Sequence, residues 1–119
     1  MTDSELTEHV EQAIAKAWEH KSRLPPATLE VGGRISPKIR HLLNNLCGLP
    51  GTVFLEAGSW KGASFISALA GNEDSVQAGI AIDNWCKRGG APFDGYSDNE
   101  RAFDENTARF LASYGDRKQ

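Results

Sequence analysis

Hydrophobic and polar positions change period several times along this chain. Leu6, Val10, Ala13, Ile14, Ala17 and Trp18 recur at helical spacing and predict an amphipathic first helix. Thr2 followed by Glu5 is a capping-box pattern. Acidic residues early and His20, Lys21 and Arg23 late suit the helix dipole, and Pro25-Pro26 are expected to end the helix. Ser36-Pro37 starts a second helix, an N-cap hydroxyl with proline at the first helical position. Ile39, Leu42, Leu43 and Leu46 are its expected buried face, and Gly48 and Pro50 stop it.

The period then shortens. Val53-Phe54-Leu55, after the turn residues Leu49-Pro50-Gly51, predicts a buried strand, though so short a run does not exclude other structures by pattern alone. Ala63 to Leu69 reads as a helix closing at Gly71-Asn72. Glu73 to Gln77 reads as a polar connection, and Ala78 to Ile82 as a second buried strand ending in Asp83-Asn84-Trp85. Ser97 to Glu100 forms another capping box, followed by Phe103, Phe110, Leu111 and Tyr114 at helical spacing, with Gly115 as the stop.

Two strands joined through a helix imply a parallel pair with a right-handed crossover, and therefore an α/β fold. Asp83 then lands at the carboxyl end of a strand beside the first one, where open sheets bind their ligands. The first strand leads into Glu56, Gly58 and Gly62. Glycines let a backbone approach a ligand closely, and the following helix start offers unpaired N–H groups. Beyond the carboxyl edge, Lys87 to Ser97 is a glycine-rich loop placed to cover a ligand or to move.

Bulk properties narrow the classes. The chain has 119 residues, 39% hydrophobic content and a formal net charge of −3. This is a single domain without the basic footprint of a nucleic-acid binder. No apolar run has the length of a membrane span, and the N-terminus lacks the order of a signal peptide, so a cytoplasmic protein is expected. Cys47 and Cys86 have no metal-site spacing and read as reduced thiols; no metal site is expected. Arg34, Lys38, Arg40 and His41 cluster, and in an acidic chain they read as a solvated helix face rather than a phosphate patch.

Three ligand chemistries compete for Glu56-Ala57-Gly58-Ser59-Trp60-Lys61-Gly62. A P-loop needs Gly-Lys followed by Ser or Thr, and Lys61 here precedes its glycine. A dinucleotide fingerprint needs G-x-G-x-x-G, whereas these glycines are spaced G-x-x-x-G with bulky Trp60 between them. A carboxylate at Glu56 would repel pyrophosphate but suits a cationic or neutral ligand. Asp83 lies about twenty residues beyond Gly62, close to the spacing at which an acid reaches ribose hydroxyls. S-adenosylmethionine carries both features, an adenosine and a cationic aminoacyl-sulfonium arm.

Leu55-Glu56-Ala57-Gly58-Ser59-Trp60-Lys61-Gly62-Ala63-Ser64 resembles the first motif of class I S-adenosylmethionine-dependent methyltransferases, in the subgroup that reads LE-[IVA]-G-[ST]-W-K-G-x-S. The similarity extends upstream over Ser36 to Cys47 and downstream over Ala81 to Trp85, and covers residues 35 to 111. It implies a Rossmann-like fold with S-adenosyl-L-methionine as cofactor. The cofactor-binding residues would then be Glu56, Gly58, Ser59, Trp60, Gly62, Asp83, Asn84 and Trp85. Glu56 and Gly58 would line the methionine arm, Gly62 would let the helix pack close, and Asp83 would hold the ribose. Asn84 or Trp85 would sit near the adenine. Trp60 departs from many class I enzymes, which carry glycine there. No residue is assigned a catalytic role; Phe93, Asp94 and Tyr96 lie near the expected methyl group without a motif to support them.

Other readings stand beside these. Glu56 also fits a helix-end or salt-bridge carboxylate, Asp83 a turn cap, and Trp60 and Trp85 packing aromatics. The class I fold is a seven-stranded sheet, and this chain stops after the helix that follows its second strand. It therefore reads as residues 1–33, an N-terminal amphipathic helix and linker, and 34–119, the N-terminal half of an S-adenosylmethionine-binding domain. Either the chain is a fragment lacking the acceptor-binding half, inactive alone, or it is a truncated remnant that folds as a homo-oligomer. The methyl acceptor is open, a small molecule being favoured over nucleic acid. A non-catalytic scaffold or interaction protein is the alternative from another class. A nicotinamide-dependent oxidoreductase is disfavoured by the glycine spacing.

Overall fold

A computed structural model describes residues 1–83 and 98–114. It is a small α/β domain in which two parallel strands are flanked by helices. Helix α1 spans Asp3–Trp18, α2 Pro37–Leu46, strand β1 Thr52–Ala57, helix α3 Ala63–Leu69, strand β2 Val76–Ile82 and helix α4 Asp98–Phe110. Short 3-10 turns occur at Pro26–Glu30 and Ala112–Tyr114. The layers follow from the contacts: α1 packs on α2, α2 on α3, and α3 on the sheet. Among the described residues no helix is long and apolar enough to cross a membrane.

The capping box at Thr2 and Glu5 forms, each side chain taking up the other residue's main-chain N–H. Helix α1 nevertheless ends at Trp18, well before Pro25-Pro26. His20 turns to a φ of 55°, and Lys21 N–H closes onto Lys16 O, so a left-handed residue rather than proline stops the helix. Only Ala13 and Ala17 of the expected stripe are buried. Leu6, Val10, Ile14 and Trp18 remain exposed, because α2 covers only the small-residue edge of the stripe.

Helix α2 differs more. Its fully buried side chains are Arg40, His41 and Asn44, while Ile39 is 46% exposed and Leu42, Leu43 and Leu46 are half-buried. Arg34 and Lys38 are solvated as expected, but Arg40 and His41 are not. The polar face is buried because it meets acceptors and donors from elsewhere. Asn44 takes Arg23 N–H on Oδ1 at 2.9 Å and donates to Ser67 O and Ala70 O at 2.9 and 2.7 Å. Asn72 Nδ2 donates to Asn44 O and Ala68 O at 2.8 and 3.0 Å. These two amides tie α2 to the carbonyl end of α3, whose last carbonyls lack intrahelical donors.

The core centres on α3. Phe65, Ile66, Ala68 and Leu69 are buried with Val31, Cys47, Val76, Phe103, Leu111 and Tyr114. Strand β2 starts at Val76, two residues before the apolar run, because Gly51 N–H already bonds Ser75 O and Thr52 pairs with Val76. From Phe54↔Gly79 to Ala57↔Ile82 the parallel register is regular. Gly79 is the point of closest approach: a Cβ there would stand 2.6 Å from Leu69 Cδ1, so glycine lets α3 lie flat on the sheet.

The strands are not buried on both faces. Phe54 and Ala81 pack inward, whereas Val53, Leu55 and Ile82 are 58%, 62% and 56% exposed and Ile80 is 38% exposed. A side chain on every second position faces away from α3, and no described element covers that side. Helix α4 and the following 3-10 turn bury Phe103, Leu111 and Tyr114, with Phe110 partly covered. The helix ends at Phe110, ahead of Gly115.

Candidate ligand-binding turn

Between β1 and α3 the backbone makes a left-handed excursion. Gly58, Trp60 and Gly62 have φ of 85°, 48° and 94°. Glycine accepts this geometry freely, but tryptophan is an outlier there, and a bulky residue held at positive φ needs support from its surroundings. Three bonds supply it. Gly58 N–H extends the ladder onto Ile82 O at 2.7 Å, Asp83 Oδ2 accepts Trp60 N–H at 2.6 Å, and Asn106 Nδ2 donates to Lys61 O at 3.0 Å. The parallel pair thereby brings Asp83 to the turn.

Gly62 also fits tightly. A Cβ there would stand 3.2 Å from both Ile66 Cδ1 and Phe103 Cδ2, so the residue lets the turn sit against α3 and α4. Lys61 is half-buried ahead of the helix, with Nζ 4.5 Å from the Trp60 ring centroid.

The polar groups of the turn are unevenly satisfied. Ser64, on the first turn of α3, donates from Oγ to Glu56 Oε2 at 2.5 Å. Among the described residues, Glu56 Oε1 is buried with no hydrogen-bond partner, as are Ser59 Oγ, in a residue only 3% exposed, and, away from the turn, Asn72 Oδ1. Leaving buried polar atoms unpaired costs free energy, so two such atoms at one turn call for a partner there, a water, an ion or a ligand group. Two carboxylates, Glu56 and Asp83, meet the turn from neighbouring strand ends, which favours a cationic or hydroxyl-bearing ligand over an anionic one.

Of the residues expected at the site, Glu56, Gly58, Ser59, Trp60, Gly62 and Asp83 are gathered around this turn. Asn84, Trp85 and the Lys87–Ser97 loop lie outside the described residues, as do Cys86, Phe93, Asp94 and Tyr96. Ser64 and Asn106 were not expected to serve the turn. Ser64 belongs to the quoted motif, and its place on the first turn of the helix after the strand was a usable signal. Nothing in the sequence pointed from Asn106 to Lys61. Among the described residues no three His, Cys, Asp or Glu side chains converge as a metal site. Cys47 is buried and its thiol is pushed up to about 11, which keeps it protonated and unreactive near neutral pH.

Compared with known family models, with curated proteins and with solved structures, the chain matches none.

Proposed function

We propose that the β1–α3 turn binds S-adenosylmethionine, in a Rossmann-like domain of the class I methyltransferase type. The observation that carries this reading is the pair of buried oxygens without a partner among the described residues, Glu56 Oε1 and Ser59 Oγ, beside a backbone turned left-handed at three positions. An ammonium group would satisfy the carboxylate oxygen. The resemblance of Leu55 to Ser64 to the methyltransferase motif points to the same ligand, as does a second carboxylate, Asp83, on the neighbouring strand end. A carboxylate accepts two hydrogen bonds at once and suits vicinal ribose hydroxyls. Methyl transfer to an acceptor would then proceed by in-line positioning against the sulfonium methyl. Isothermal calorimetry with S-adenosylhomocysteine tests the reading: saturable one-to-one binding is expected, and its absence overturns it.

A second reading is favoured by a different observation. The outward face of the sheet presents Val53, Leu55, Ile80 and Ile82 to solvent, and parallel sheets are ordinarily covered on both sides. A non-catalytic interaction protein would use that face for contact. A stable oligomer indifferent to S-adenosylhomocysteine would favour it over the first reading.

A further inference from the structure

At the opposite end of the sheet from the Gly58–Gly62 turn, a cleft of about 460 Å³ opens between α1, the 21–23 segment and α2. Gly48 and Asn72, which precede the starts of β1 and β2, also line it. Its volume is in the range of small-molecule sites. The walls are cross-braced. Lys21 N–H bonds Lys16 O at 2.9 Å, Asn45 Nδ2 donates to Ala13 O and Lys21 O at 3.2 and 2.9 Å, and Arg23 N–H bonds Asn44 Oδ1 at 2.9 Å.

The side chains around the cleft carry one sign of charge. Lys16, Lys21 and Arg23 line it, and no Asp or Glu among the described residues does, in a chain of net charge −3. Lys21 and Arg23 pair with Glu19 and Asp74 at 2.9 and 3.1 Å, but all four side chains are more than half exposed. Exposed pairs of this kind are weak, so neither cation is committed to its carboxylate. Lys16 forms no ion pair among the described residues. A cleft lined by one sign of charge concentrates ions of the other.

A second observation is independent of charge. Asn72 is fully buried, and its Nδ2 is fixed by Asn44 O and Ala68 O, which leaves Oδ1 as the acceptor end of the amide. Oδ1 has no hydrogen-bond partner among the described residues. A Cβ at Gly48 would rest against this oxygen at 3.8 Å, so the glycine keeps the space beside it free of a side chain. The missing partner is a hydrogen-bond donor. We infer that this cleft binds a phosphomonoester that carries a hydroxyl group. Lys16, Lys21 and Arg23 hold the phosphate, and the hydroxyl donates to Asn72 Oδ1. Lysine ammonium groups serve phosphate as point charges, and three cations match a dianion better than a single carboxylate. The site is separate from the β1–α3 turn and does not depend on what that turn binds.

A two-dimensional NMR titration of the 119-residue chain tests the inference, with glycerol 3-phosphate as the probe. Saturable shifts are expected at Lys16, at Lys21 to Arg23, at Gly48 and at the side-chain amide of Asn72. n-Propyl phosphate, which lacks the hydroxyls, is expected to bind about tenfold more weakly, as suits one lost hydrogen bond to a buried acceptor. Glycerate, a hydroxylated monoanion, should also bind more weakly than glycerol 3-phosphate. Lys16 is exposed, so Lys16→Gln spares the fold and should weaken glycerol 3-phosphate about fivefold. Lys38→Gln, outside the cleft, should leave the affinity unchanged. Equal binding of n-propyl phosphate or of glycerate, equal losses in the two variants, shifts spread over the whole surface, or no saturable binding would each overturn the inference. None of these results bears on S-adenosylhomocysteine, so the two readings fail separately.

Discussion

The carboxylate of Asp83 accepts the main-chain N–H of Trp60 at 2.6 Å, joining the end of β2 to the turn that follows β1. One oxygen of this carboxylate therefore shapes the turn, whatever else the group does. Replacing it tests both roles. Asp83→Ala should lower stability by about 1 kcal/mol, through loss of a charge-assisted bond at a half-exposed site, and weaken S-adenosylhomocysteine about tenfold. Asp83→Asn keeps an acceptor for Trp60 N–H and should restore most of the stability while binding stays weakened. Urea titration and calorimetry on the two variants read the outcomes separately.

Asn44 ties α2 to the rest of the fold through hydrogen bonds. Its buried amide makes three bonds, to Arg23 N–H, Ser67 O and Ala70 O. Asn44→Ala strands those groups and is expected to cost about 3 kcal/mol, lowering the melting temperature by about 10 °C. Ile39→Ala, at an exposed position on the same helix, should cost well under 1 kcal/mol. Thermal denaturation of the pair would show whether α2 is held by its polar or its apolar face.

Gly62 combines a φ of 94° with a site in which a Cβ would meet Ile66 Cδ1 and Phe103 Cδ2 at 3.2 Å. Gly62→Ala is expected to destabilise by about 2 kcal/mol, from backbone strain and from displacement of the Phe103 ring. A melting temperature equal to wild type would show that the turn tolerates a side chain there.

His41 is buried on α2, stacked on His20 with ring centroids 5.7 Å apart, and its Nδ1 lies 2.6 Å from Ser22 Oγ. Burial first, and then the nearby His20, lowers its pKa below 6.5. The folded chain therefore binds this proton less readily than the unfolded chain. The stabilisation is present above the unfolded value and is lost as pH falls from there toward the folded value. Urea midpoints are expected to fall as pH drops below about 6.5, with a shallower fall in His41→Asn. Parallel pH profiles for the two proteins would remove His41 as the cause.

The element order was readable from the sequence, and so was the turn. Periodicity separates α1, α2 and α3 from the two apolar strands, and the strand–helix–strand order points to a parallel pair because a crossover helix carries the chain back to the end at which the first strand began. Glycines at 58 and 62 mark the left-handed turn, and Asp83 follows at a strand end because the register of β1 and β2 places it there. Those features are local, or depend only on the order of neighbouring elements.

The tertiary structure alone decided which side of each element is buried. Hydrophobic patterning assigned α2 an aliphatic core face, yet Arg40, His41 and Asn44 are the buried residues. A polar side chain can be buried when carbonyls and N–H groups from distant segments meet it, and periodicity carries no information about partners more than twenty residues away. Arg23 and Ala70 for Asn44 are such partners. The exposed outer face of the sheet has the mirror-image cause: Val53 and Leu55 are apolar enough for a core, but burial requires a covering layer, and whether one is present depends on the whole assembly of elements. The sequence alone determined the path of the chain and the turn at its centre; packing decided what that turn faces.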